Sequence, residues 1–102
     1  MPEKDLKGKI AVITGSSRGI GAVTAIEMAK RGAKVVINYS SSKEKAEKVL
    51  DKVKDFGSEG ILVQADVSKL SEAKKLIKTT KDKYDRIDIL VNNAGITRDK
   101  LL

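Results

Sequence analysis

Ile10-Ala11-Val12-Ile13-Thr14-Gly15-Ser16-Ser17-Arg18-Gly19-Ile20-Gly21 runs from four apolar residues through a hydroxyl into a stretch carrying three glycines. An apolar run without polar alternation reads as a strand covered on both faces, as in a parallel sheet. Each glycine then has a physical task. Gly15 takes the tight turn off the strand, Gly19 lets backbone approach a ligand, and Gly21 lets a following helix pack close to the sheet. A helix that starts here aims unpaired N–H groups and the positive end of its dipole at the mouth of the strand, a setting suited to pyrophosphate. The stretch therefore points to a dinucleotide site.

The rest of the chain repeats the strand-then-helix unit. Met1 to Lys7 reads as a polar lead-in, and the first strand covers Lys9 to Thr14. The first helix runs from Arg18 or Gly19 to Arg31, with Gly32 as its left-handed stop and Ala22, Ala25, Ile26 and Ala29 as its sheet-facing stripe. A second strand covers Ala33 to Asn38. After the Tyr39-Ser40-Ser41-Ser42 loop, a second helix covers Lys43 to Phe56 and stops at Gly57. Its Ala46, Val49, Leu50, Val53 and Phe56 form one apolar face. A third strand covers Gly60 to Gln64. Ser68 or Ser71 then caps a third helix whose Ala73, Leu76, Ile77, Thr80 and Tyr84 face inward, and a fourth strand covers Ile87 to Asn92. Gly95 to Leu102 reads as a loop with the first turn of a further helix. The alternation predicts an α/β fold with right-handed crossovers and a parallel sheet of four strands and three helices. With 102 residues and no linker or low-complexity tract, residues 1–102 are expected to form one domain.

Composition narrows the function. The chain has no cysteine and no histidine, so thiol chemistry, disulfides and histidine acid–base catalysis are excluded and no metal site is expected. No apolar run is long enough for a membrane span and no secretory pattern is present, so the expectation is a cytoplasmic protein. The net charge of +7 would suit a polyanion, but the lysines alternate with Asp and Glu on the second and third helices, as on a solvated face. With only Tyr39, Phe56 and Tyr84 as aromatics, there is no stacking platform for single strands, and no specific nucleic-acid partner is expected.

The spacing Thr14-Gly15-x-x-x-Gly19-x-Gly21, together with Asn92-Asn93-Ala94-Gly95, resembles the signature of the short-chain dehydrogenase/reductase family. Gly95-Ile96-Thr97-Arg98-Asp99-Lys100-Leu101-Leu102 is most similar to the β-ketoacyl-acyl carrier protein reductases within it. The resemblance extends over nearly the whole chain, which is less than half of such an enzyme. It implies a Rossmann-type sheet in the order 3-2-1-4, with a dinucleotide bound where the order reverses, outside the carboxyl ends of the strands.

The choice of cofactor turns on the end of the second strand. An NAD site wants an acid about twenty residues beyond the glycine turn to hold the ribose hydroxyls. Here Asn38-Tyr39-Ser40-Ser41 carries none, while Arg18 supplies positive charge and the serines supply hydroxyls, as in the NADP-preferring members. The expected cofactor contacts are Gly15, Ser17, Arg18, Gly19, Ile20 and Gly21 of the loop, and Asn38, Tyr39 and Ser40 after it. By resemblance, Asp66 and Val67 lie at the adenine and Asn92, Ala94 and Gly95 lie against the ribose. Asp66 is also readable as a turn acid ahead of Ser68, and Asn92 and Asn93 as structural.

The resemblance also implies a catalytic Ser, a Tyr, a Lys four residues after the Tyr, and an Asn on a fourth helix, all expected beyond Leu102. Tyr39 and Lys43 match the Tyr-x-x-x-Lys spacing but lie on the adenosine side, so no catalytic residue is assigned. The family often has Gly where Asp85 stands, and Asp tolerates the same left-handed cap. Helices one and two are expected on one sheet face and helix three on the other, leaving strands one and four partly bare. That predicts a homodimer through strand four or the uncovered face. The resulting reading is an NADP(H)-binding module, a truncated or designed fragment of a reductase. The alternatives are one part of a split reductase, or a structural dimer with a vestigial loop.

Overall fold

In the computed structural model, which describes residues 4–94, the elements follow the alternation read from the sequence. They are β1 (Ile10–Ile13), α1 (Gly19–Lys30), β2 (Lys34–Tyr39), α2 (Lys43–Asp55), β3 (Gly60–Gln64), α3 (Leu70–Tyr84) and β4 (Ile89–Val91). The four strands form one parallel sheet in the order β3-β2-β1-β4. The order reverses on the two sides of β1, so the β1–α1 turn sits at the switch point.

The sheet divides the core in two because successive strand residues point to opposite faces. Ala11, Ile13, Val35 and Ile37 join Ala25 and Ala29 of α1 and Ala46, Val49 and Val53 of α2 on one face. Val12, Val36 and Val63 join Leu76 of α3 on the other. The alanine stripe of α1 explains its fit: small side chains let the helix lie low over strands that are themselves fully buried. Gly60 serves the same end at the start of β3, where a methyl would overlap the carbonyl oxygen of Val35.

Helix ends follow backbone chemistry. Gly32 and Gly57 take φ of 101° and 85° just past α1 and α2, and Asp85 takes φ of 71° past α3, as its short polar side chain allows. The cap of α3 differs from expectation. Lys69 is the N-cap and no side chain caps the helix, because the Ser68 hydroxyl is bonded to Asp66 instead. Ser71 lies inside the first turn.

Three packing expectations are corrected. Phe56 is 43% exposed, since α2 ends at Asp55 and the ring sits under the Lys30 ammonium, 4.9 Å from its centroid. On α3 Leu76 and Thr80 are buried and Tyr84 packs on the same core as expected, whereas Ala73 and Ile77 border an open apolar groove with Leu70 and Lys74. Val12 is fully buried, so the bare area is confined to β4, whose Leu90 is 55% exposed.

β4 is also shorter than the expected Ile87 to Asn92. The Asp88 carboxylate accepts the Ile10 N–H at 2.8 Å and the Arg86 Nε at 2.9 Å, while the Arg86 Nη2 donates to the Gly8 carbonyl at 2.7 Å. The Asp88 side chain thus takes the Ile10 N–H while the Asp88 N–H donates to the Ile10 carbonyl at 2.9 Å, and residue-for-residue pairing starts at Ile89 opposite Ala11. The lead-in is not merely polar: Leu6 packs on the α1–α2 core, its N–H bonds the Arg31 carbonyl, and Asp5 pairs with Arg31. Among the described residues, no helix is long and apolar enough to cross a membrane and no cluster suits a metal ion. Gly95 and the expected turn over 95–102 lie outside the described residues.

The bond to the Ile10 amide, helped by Arg86, holds the Asp88 carboxyl below its ordinary value of 3.8. A depressed native value means the folded state resists protonation, so its stabilising effect is complete above the unfolded value and is lost as pH falls through the native one. We expect Asp88→Asn to be less stable than the parent at neutral pH. Chemical denaturation followed between about pH 6 and pH 2.5 should show the gap closing as pH drops below about 4. A gap that stays constant over that range would contradict the assignment.

Candidate functional site

The β1–α1 turn must leave a fully buried strand, and its polar backbone groups need partners before the chain reaches solvent. Small polar side chains supply them. The Ser16 hydroxyl, completely buried, donates to the Ile13 carbonyl at 2.7 Å and accepts the Asn38 N–H at 3.0 Å. The Ser16 N–H donates to the Asn38 carbonyl at 2.9 Å, and the Gly15 N–H donates to the Asn38 Oδ1 at 3.0 Å. On the β4 side, the Thr14 N–H bonds the Val91 carbonyl at 3.0 Å, and the Thr14 Oγ1 accepts the Ala94 N–H at 2.9 Å. The Asn93 Nδ2 donates to the Gly15 carbonyl at 3.1 Å. The glycine loop is thereby pinned to β2 on one flank and to the Asn92–Ala94 turn on the other.

The three glycines do different things. Gly15 turns with φ of 61° and lies so close to Ala94 that a methyl would come within 3.1 Å of its Cα. Gly21 is buried; a methyl there would overlap the Gly15 carbonyl oxygen and come within 2.7 Å of the Asn93 Nδ2, which is the close helix–strand contact read from the sequence. Gly19 has φ of 63°, but a methyl would meet no protein atom within 4 Å. Its bare face borders open space at the start of α1.

That helix start is left electrostatically open. Arg18, the N-cap, makes no side-chain capping bond, and α1 has no acid in its first turn, whereas α2 and α3 have Glu44 and Glu72. The first N–H groups of a helix have no internal partner, so α1 presents donors and a partial positive charge beside Gly19. Arg18 and Ile20 are exposed and Ser17 is half-buried, and Arg18 forms no salt bridge among the described residues.

The second flank separates into inward and outward residues. Asn38 and Tyr39, expected beside a cofactor, are buried: Asn38 is bonded within the protein and Tyr39 belongs to the α1–α2 core. Ser40 is exposed, its carbonyl held by the Gln64 Nε2 at 3.0 Å. The Asp66 Oδ1 accepts both the Ser68 hydroxyl at 2.6 Å and the Ser68 N–H at 3.1 Å, as in the turn reading. Those two bonds keep the Asp66 carboxyl below its ordinary range. Its main-chain N–H donates to the Glu72 Oε1 at 3.0 Å, and Val67 packs on the α3-side core. Thr14, Ser16 and Asn93 were not singled out as site residues in the sequence. Their signal was available, since a hydroxyl on either side of a strand-ending glycine is a ready partner for turn backbone.

These differences set a test of the loop. Gly21→Ala should cost about 2–3 kcal/mol of unfolding free energy, because backbone on both sides must shift to admit the methyl. Gly19→Ala should cost only about 1–2 kcal/mol, the expense of a left-handed alanine. Urea unfolding of both variants would measure the order, and equal losses would show that the closeness at Gly21 carries no weight.

Residues 9–102 match the family model described as short chain dehydrogenase. A 3-oxoacyl-[acyl-carrier-protein] reductase of Synechocystis sp. is 53% identical over 97 residues, covering 95% of this chain and 39% of that protein. A probable tetrahydroxynaphthalene reductase of Zymoseptoria tritici is 48% identical over 91 residues, covering 89% of this chain and 34% of its own length. Among solved structures, a doubly substituted mutant of a Serratia marcescens short-chain dehydrogenase/reductase superposes with a TM-score of 0.87 at 34% identity, covering 91% of this chain and 38% of that one. The chain thus spans less than two fifths of the length of these relatives. With the sheet order, the glycine spacing and the match in agreement, the chain belongs to the short-chain dehydrogenase/reductase family.

Proposed function

We propose that residues 1–102 act as one dinucleotide-binding unit, the NADP(H)-holding part of a reductase of the 3-oxoacyl-acyl carrier protein kind. The observation that carries this reading is the start of α1. It is an uncapped, acid-free helix end next to Gly19, whose missing side chain leaves space that no protein atom fills. Backbone donors from Ser17 to Gly21 would hold the pyrophosphate. Arg18 and Ser40, both exposed, would hold the 2′-phosphate, and Asn38-Tyr39-Ser40-Ser41 carries no acid to oppose it. Asp66, Val67, Asn92, Ala94 and Gly95 would line the adenosine. The cofactor supplies the hydride when bound. Nothing among the described residues around the loop is a candidate proton donor: Tyr39, the only Tyr four residues before a Lys, is in the core. The unit is therefore read as binding without turnover by itself.

Calorimetry with NADPH and NADH, at low and at near-physiological salt, tests this. We expect saturable binding that favours NADPH, and Arg18→Ala should weaken NADPH by about tenfold or more, the loss of one charge-assisted bond, with little change for NADH. Binding of neither, with an intact circular dichroism spectrum, would reduce the loop to architecture. Turnover restored by adding the remaining length of a relative would instead support a split reductase.

A structural reading, a homodimer through β4, rests on one feature: the edge strand carries Leu90 at 55% exposure. Sedimentation should then show a dimer that Leu90→Lys dissociates, and a monodisperse monomer of the parent chain would remove it.

A further inference from the structure

Asn38 is the next-to-last residue of β2, and it is 1% exposed. Its Oδ1 accepts the Gly15 N–H at 3.0 Å, while its Nδ2 donates to the carbonyls of Val63 and Ala65, both at 3.1 Å. Turned the other way, the amide would set N–H against N–H and oxygen against two carbonyls, so only one orientation is compatible with its surroundings. The arrangement demands one acceptor and two donors on a single short planar group. A carboxylate has no donor and a hydroxyl has only one.

The two places so joined are the glycine loop, through Gly15, and the end of β3, through Ala65 and the Asp66 that follows it. We infer that Asn38 is a positioning residue that holds the glycine loop and the Asp66 turn at a fixed separation, so that a dinucleotide meets both without reordering either. This deepens the proposed cofactor reading and rests on it. A ligand spanning both places gains from the fixed separation, because the second contact is made at no further ordering cost. A ligand touching one place gains nothing from it. That asymmetry separates positioning from plain stability.

The experiment uses the full chain and Asn38→Ser, both confirmed folded by circular dichroism at 10 °C. NADPH, which spans both places, is titrated by calorimetry; adenosine, which would meet the Asp66 turn and residues 92–95 but lacks the pyrophosphate that the glycine loop would hold, is titrated by amide chemical shifts. Hydrogen exchange is read at Gly15, Asp66, Val12 and Leu76. We expect NADPH to weaken by about tenfold or more with adenosine within about twofold, and exchange to accelerate at Gly15 but not at Val12 or Leu76. Unchanged NADPH affinity, equal loss of both ligands, or acceleration spread through the core would overturn the inference. Should Asn38→Ser fail to fold, Asn38→Asp, which keeps shape and acceptor and loses both donors, is read by the same criteria. A parent chain that binds no NADPH would refute the dinucleotide reading itself. Exchange at Gly15 would then decide whether Asn38 holds the loop: acceleration there supports it, and no change overturns it.

Discussion

A chain leaving a strand buried on both faces carries its amide groups through a region where water cannot reach them, and every one left unpaired would cost free energy. The β1–α1 turn meets this constraint by borrowing partners from elsewhere in the sheet. Asn38 serves it from β2, by its backbone at Ser16 and by its amide at Gly15, while Val91 at the end of β4 accepts the Thr14 N–H and Asn93 just beyond it donates to the Gly15 carbonyl. Because these partners come from strands on both sides of β1, the turn can take its shape only once β2 and β4 are in place. The sheet order and the loop geometry are one structural fact rather than two.

The same constraint explains what could be read in advance. Strand and helix positions follow from apolar periodicity and from glycines that end helices, and these are local signals; β3 and the start of α2 lie where the sequence put them. The sheet order came from resemblance. What escaped depended on partners distant in sequence. Asn38 looks like a surface polar residue at the end of a strand, and only the proximity of Gly15, Val63 and Ala65 shows that its amide faces inward. Ser68 was a plausible cap until Asp66 took its hydroxyl. Phe56 fits the helical stripe, but the chain turns at Gly57 and leaves the ring to the Lys30 side chain.

Charge behaves as the sequence suggested. Most of the excess lysines lie on the outer faces of α2 and α3, and the i,i+4 pair Lys78–Asp82 on α3 is solvent-exposed and contributes a few tenths of a kcal/mol at most. Those in the last turns of α2 and α3 sit where the helix dipole favours cations. The start of α1 has the opposite character. Among the described residues it is the one helix start with neither a capping side chain nor an acid in its first turn, while α2 and α3 at least carry a glutamate there.

On the proposed reading, that contrast separates architecture from ligand chemistry within a single loop. Gly21 is small because protein presses on it from Gly15, Ser16 and Asn93, so its identity is explained by the fold alone. Gly19 adopts a left-handed φ, which any turn could ask for, yet nothing in the protein occupies the space its side chain would take. A fold under no demand but stability would gain from an acid or a capping hydroxyl near that position, worth about 0.5–1 kcal/mol or more. Their absence, beside an exposed arginine, is what an incoming anion requires: donors unspent, dipole unneutralised, and room for its oxygens to approach the backbone.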